Sequence, residues 1–158
     1  MIVGQGLLAR AFTARYAADP DVTIFASGVS NSLATAADGF ERERAMLVPL
    51  LDAGTRLVYF GSCASTPENA AATTPYMRHK RTMEELVAGS RNGLVLRLPQ
   101  VVGVTSNPNT LTNFLRDRIL AGEPFTVWAN AQRNLIDVDD VAAIGAELID
   151  AAAGGRRV

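Results

Sequence analysis

The sequence predicts an α/β protein: a parallel β-sheet with helices packed on both of its faces. Short apolar, β-rich runs alternate with segments whose apolar residues recur at helical spacing, and turn residues separate them. The length, 158 residues, suits one domain with a single core, because most domains fall between ~100 and 200 residues.

The elements follow in order. Ile2-Val3 is a minimal strand, and the glycines of Gly4-Gln5-Gly6 lead into a helix over about Leu7–Ala18. "DVTIFASG", residues 21–28, is a β-rich run ending in small residues. Phe40–Ala53 carries Met46, Leu47, Leu50 and Leu51 at helical spacing, with Gly54 as a stop. "TRLVYFGS", residues 55–62, is the clearest strand. Pro75 suits the first turn of a helix running to about Ala88. "NGLVLRLPQVVG", residues 92–103, reads as one further strand. A helix near Thr110–Ala121, a short strand at "PFTVW" (124–128), the segment "RNLIDVDD" (133–140) and an Ala-rich helix complete the chain.

Composition narrows the function. Fifteen Lys and Arg stand against 16 Asp and Glu, for a formal net charge of −1, which leaves no electrostatic footprint for nucleic acid or anionic lipid. No apolar run reaches the ~18 residues of a membrane span, and no basic region precedes the apolar N-terminal residues. The single Cys63 excludes an intramolecular disulfide, and with His79 as the only histidine no metal site is expected. The expectation is a cytoplasmic protein.

In parallel α/β sheets, ligands bind beyond the carboxyl ends of the strands. Four segments there can carry chemistry. Gly4-Gln5-Gly6-Leu7-Leu8-Ala9 is a G-x-G-x-x-A turn between strand and helix, where backbone N–H groups and the helix dipole favour a pyrophosphate. It also fits an ordinary strand–helix turn. Ser62, at the end of the clearest strand, is placed to meet a ligand, or is a solvated loop serine. Cys63 beside it is a packing residue or, with His79 as the one available imidazole, a thiol nucleophile. Tyr76 and Lys80 stand one helical turn apart. A free tyrosine has a pKa of ~10, so a phenolate base near neutrality needs ~4 kcal/mol of preferential stabilisation. An ammonium one turn away can supply part of it, although the same spacing occurs on any polar helix. Arg133 has the fork of donors that grips a phosphate, while Asp139 or Asp140 reads as a helix start.

Taken in order, the glycine turn, Ser62, Tyr76-x-x-x-Lys80, "RLPQVVG" and "RNLIDVDDVA" resemble the extended short-chain dehydrogenase/reductase superfamily. Within it they are similar to the NAD-dependent epimerase/dehydratase group that acts on nucleotide-activated sugars, from Val3 to about Ala143. The resemblance implies a shortened, Rossmann-like, doubly wound sheet in one domain over residues 1–158, with about 104–158 contributing the substrate side. It implies NAD or NADP as cofactor. Tyr76 would be the general acid/base, Lys80 its electrostatic partner and a ribose contact, and Ser62 the hydroxyl that orients the substrate. Gly4, Gly6 and Ala9 would face the cofactor pyrophosphate, and Ala26-Ser27-Gly28 would run past the cofactor. Pro99 and Val101 would lie near the nicotinamide, and Asn107, Asn109 and Arg133 would contact the nucleotide sugar. Hydride transfer as Tyr76 takes a hydroxyl proton would then lead to epimerisation, dehydration or simple oxidation and reduction. The implied setting is surface-polysaccharide synthesis, and the helices at about 41–53 and 76–88 would build a homodimer as a four-helix bundle.

The departures are specific. "DVTIFASG" resembles the group's fourth strand, so its second strand, a helix and its third strand are missing between about Ala18 and Asp21. The acid that binds the adenosine ribose goes with them; Asp19 and Asp21 precede a strand instead of ending one. The glycine turn lacks a third glycine. Glu43 stands where the group has the asparagine of its proton relay, and Gln100 replaces another asparagine. The substrate-binding portion is short. A dinucleotide- or nucleotide-sugar-binding sensor or partner subunit without turnover is the competing expectation.

Overall fold

The structure, a computed structural model, describes residues 1–65, 73–127 and 129–153. Four strands, β1 (Ile2–Val3), β2 (Val22–Phe25), β3 (Arg56–Ser62) and β4 (Gly93–Leu98), form one parallel sheet in the order β1-β2-β3-β4. The register sets Ile2 beside Ile24, Phe25 beside Tyr59 and Ser62 beside Leu98. Helices α1 (Leu7–Tyr16), α2 (Ala37–Leu47), α3 (Pro75–Ala88), α4 (Leu111–Ala121) and α5 (Val138–Ala153) surround it. A second pair of parallel strands, β5 (Gln100–Val102) and β6 (Leu135–Asp137), forms a separate sheet.

Side-chain alternation along the strands builds two cores. On one face Ile24, Val58, Phe60 and Leu96 meet Phe12 and Tyr16 of α1 and Val141, Ala146 and Ile149 of α5. On the other, Phe25, Leu57 and Tyr59 meet Leu47 of α2 and Met83 and Val87 of α3. Helices therefore cover both faces, as expected.

This arrangement has a topological consequence. The connections β1→β2, β2→β3 and β3→β4 all step the same way across the sheet. The first passes over one face through α1, the next two over the opposite face through α2 and α3. Steps in one direction over opposite faces have opposite hands, so the α1 connection differs in hand from the other two. Parallel β–helix–β units are right-handed in ~98% of cases. The exception arises if α1 keeps its place while the strand it would reach on the far side of β1 is missing, which matches the gap inferred near Ala18–Asp21.

Four expected elements differ in detail. The run "NGLVLRLPQVVG" is two strands in separate sheets, because Pro99 has no N–H to extend the ladder and the chain leaves β3 there. "PFTVW" forms no strand over 124–127: nothing pairs with it, and Val127 is exposed; Trp128 lies outside the described residues. Helix α2 starts earlier than expected and yields after Leu47 to a 3-10 turn, Val48–Leu50, containing Pro49. Finally, α5 is capped two residues before Asp139. The Asp137 carboxylate accepts the Asp139 N–H at 2.8 Å, leaving Asp139 and Asp140 in the first turn. Among the described residues no helix is long and apolar enough to cross a membrane.

Candidate functional site

The carboxyl ends of the strands open onto a cleft of about 760 Å³, within the ~300–1,000 Å³ range of small-ligand sites. Its near wall is the turn from β1 into α1. Gly4 has φ +128°, and a side chain there would overlap the Ala26 carbonyl, so only glycine lets this turn lie against β2. A methyl group at Gly6 would meet nothing within 4 Å. Gly6 is also the N-cap of α1 without a side-chain cap, so the first N–H groups of that helix face the cleft side unclaimed by side chains. These features fit a dinucleotide pyrophosphate.

The opposite wall is α3. Pro75 sits in its first turn, and Thr74 Oγ1 accepts the Met77 N–H at 3.2 Å, which fixes where the helix starts. From there Tyr76, Lys80 and Glu84 fall at four-residue intervals and all three turn inward and are buried. Tyr76 and Lys80 line the cleft together with Ser62. Burial raises the Tyr76 phenol above the usual tyrosine value; a hydrogen bond with the Ser62 side chain lowers it, while Glu43 and Glu84 add to the rise. Burial likewise lowers the Lys80 ammonium, an effect Glu43 partly reverses.

Lys80 does not stand as a bare cation beside the phenol. Its Nζ donates to Glu43 Oε1 at 3.1 Å and to the Tyr59 hydroxyl at 3.0 Å. Glu43 is fully buried. Burial works against its ionisation, but the charge of Lys80 and hydrogen bonds from Tyr59 and the Val29 N–H outweigh it, so the carboxyl stays below the ordinary carboxylate range. Tyr59 is held protonated by burial and by Glu43.

Glu84 anchors the other end of the site. Its Oε1 accepts the Ser62 N–H at 3.1 Å and the Ser65 hydroxyl at 2.7 Å, and its Oε2 accepts Arg97 Nε at 2.8 Å. A buried carboxylate on α3 thus fixes the backbone that presents Ser62 from β3.

Of the residues expected from the sequence, Gly6, Ala26, Gly28, Ser62, Tyr76, Lys80, Pro99, Val101, Asn107, Asn109 and Arg133 all line this cleft. Three do not. Gly4 serves the approach of the turn to β2, and Ala9 is buried beneath it. Ser27 faces Arg42, which reaches its hydroxyl at 3.3 Å and its carbonyl at 3.1 Å. Asn107 and Asn109 shape their own loop: Asn107 bonds Ser30 Oγ at 3.0 Å and accepts the Asn109 N–H at 2.9 Å. Arg133 is exposed, and among the described residues its one hydrogen bond is to the neighbouring Gln132 carbonyl at 2.8 Å. Among the described lining residues the charged ones are Lys80, whose charge is paired with Glu43, and Arg133; the exposed Arg133 suits a phosphate-bearing ligand.

Other readings resolve against geometry. Cys63 Sγ lies 3.7 Å from the Arg97 carbonyl, whereas the His79 ring is held by Glu43 at 3.0 Å and stacks on Phe40, so the two do not pair. Asp21 immediately precedes β2, at the opposite end of the sheet from the cleft, and its N–H is taken by Asp19; neither acid can reach a ribose there. Among the described residues no group of three or more His, Cys, Asp or Glu is placed to hold a metal. The sequence did not reveal the roles of Tyr59, His79 and Glu84. Glu84 alone left a signal, as the next inward step after Tyr76 and Lys80.

Comparison with known proteins follows the same lines. A model of the NAD-dependent epimerase/dehydratase family matches residues 3–157. The fold is similar to the capsular polysaccharide assembling protein CapF from Staphylococcus aureus, with a TM-score of 0.53 and 21% identity over 91% of this chain and 38% of that one. It is also similar to a protein assigned as an NAD-dependent epimerase/dehydratase from Methylobacillus flagellatus, with a TM-score of 0.55 and 16% identity over 96% of this chain and 70% of that one. At these identities the likeness is one of fold. The chain spans well under half the length of the CapF structure. No curated protein matches it.

Proposed function

The chain belongs to the NAD-dependent epimerase/dehydratase family, and on that premise we propose that it is an oxidoreductase acting on a nucleotide-activated sugar, with Tyr76 as general acid/base. The observation that carries the reading is the meeting of Ser62, Tyr76 and Lys80 on the wall of one cleft onto which the glycine turn and the start of α1 also open.

NAD or NADP is the family's cofactor, and when bound it supplies the acceptor and donor of a hydride. The protein does the rest. Gly6 and the N–H groups of α1 receive the pyrophosphate. Pro99 and Val101 confine the nicotinamide side, and the Lys80 ammonium, fixed by Glu43 and Tyr59, addresses the ribose. Ser62 orients the reacting alcohol or carbonyl while Tyr76 takes or returns its proton. Because burial keeps Tyr76 protonated in the free protein, it stands ready as an acid first. Arg133, with Asn107 and Asn109 beside it, receives the sugar-nucleotide phosphates; among the described residues its guanidinium pairs with no carboxylate. The role of CapF in assembling capsular polysaccharide supports a surface-polysaccharide setting.

Calorimetric titration with NAD(H) and NADP(H), with and without UDP- and dTDP-sugars, tests the reading. Binding accompanied by turnover is expected. Binding of both ligands without turnover would favour a sensor or partner subunit, and no binding of either would overturn both.

A further inference from the structure

Glu43 takes no proton in the chemistry assigned to Ser62 and Tyr76, yet it is the most enclosed charged side chain among the described residues. Its two oxygens accept four hydrogen bonds. Oε1 takes the Tyr59 hydroxyl at 2.6 Å and Lys80 Nζ at 3.1 Å; Oε2 takes the Val29 N–H at 2.7 Å and His79 Nε2 at 3.0 Å. The donors come from β3, α3 and the loop after β2, while Glu43 itself sits on α2. A carboxylate offers about four acceptor sites and no donor, so all of its capacity is used. An amide side chain would turn N–H groups toward one pair of these donors. Lys80, one of those donors, is the only lysine in the sequence, and it too is buried. The geometry also constrains the neighbouring loop: a methyl group at Gly28 would come to 2.6 Å from Lys80 Nζ and 2.9 Å from Glu43 Oε1.

We propose that Glu43 is a positioning residue of the dyad, the built-in counter-ion that fixes Lys80 at the cleft wall and ties it, through the Val29 N–H, to the loop running past the cofactor. The proposal rests on the reading of Tyr76 and Lys80 as the working pair. A buried ammonium without a partner gives up its proton more readily, and a buried carboxylate without one holds its proton more tightly. The charged and titratable groups facing Glu43 are Tyr59 from β3 and His79 and Lys80 from α3; Tyr76 and Glu84, also on α3, act on the same pair. Glu43 favours the protonated form of both Lys80 and Tyr76. Removing its charge therefore lets the first proton leave that pair at lower pH, whichever of the two holds it.

The single lysine makes the test direct. The full chain, labelled with ¹³C and ¹⁵N in lysine, is titrated by NMR without cofactor or substrate. In Glu43→Gln the lysine midpoint is expected about one pH unit or more below wild type, while Glu43→Asp, which keeps the charge, stays nearer wild type. A Glu43→Gln protein with a native amide spectrum and a wild-type midpoint would overturn the proposal. Should Glu43→Gln not fold, Lys80→Met with carboxyl-labelled glutamate gives the reciprocal result: one glutamate carboxyl must move up by about a pH unit or more, and the proposal fails if none does. Neither titration involves turnover, so they stand apart from the role of Tyr76, which substitution of Tyr76 tests by itself.

Discussion

Two glycines at the cleft show how differently a single methyl group can act. At Gly4 it would meet the Ala26 backbone at a positive φ, and the fold has no inexpensive way to yield. At Gly28 the nearest atoms it would meet are the ends of Lys80 and Glu43, which can shift while the backbone stays. Gly28→Ala is therefore expected to cost about 1 kcal/mol of stability and about a hundredfold in turnover, because it displaces the ammonium from its place. Thermal unfolding beside steady-state kinetics checks this; equal losses in both would refute it. At this scale the sequence exposed Ser62, Tyr76 and Lys80, since their order along the chain carries information. It exposed Glu43 only as a substitution. The carboxylate's meaning lies in donors drawn from a loop, a strand and a second helix, and no local pattern brings these together.

Among the elements, those with their own punctuation were legible. Pro75 marks the start of α3, which ends at Ala88, about where the sequence places it. Gly122, in the left-handed conformation, closes α4 after Ala121. Outcomes that depend on partners are not legible in the same way. "PFTVW" has strand composition, but over 124–127 it joins no ladder among the described residues, and the strand expected through Pro99 divides because its two halves find different neighbours. The α1 connection is subtler still, since no residue within it signals its hand. Helices α2 and α3 share one face of the sheet, and we propose that they also form a homodimer interface, with Met46 and Val48 of the α2 region left partly exposed. Light scattering at micromolar concentration should give twice the 16.8 kDa chain mass; a monomeric mass would count against it.

At the scale of the whole molecule, Ser62, Tyr76 and Lys80 share one cleft in a chain that matches its family over residues 3–157. The strand order β1-β2-β3-β4 corresponds to one half of a doubly wound sheet, in which order reverses at the first strand. What lay beyond β1 in such a sheet would have carried the acid for the adenosine ribose. The described lining residues include no carboxylate to take its place, so on the proposed reading cofactor binding would rest on the glycine turn, the start of α1 and Lys80. The central claim is that this reduced frame still drives proton transfer through Tyr76. It is tested most directly by following nicotinamide absorbance with a nucleotide-sugar substrate in wild type and Tyr76→Phe, with cofactor affinity measured alongside. The account predicts a loss of about 10²–10⁴-fold in turnover with cofactor affinity essentially unchanged; a Tyr76→Phe protein that turns over at the wild-type rate would contradict it.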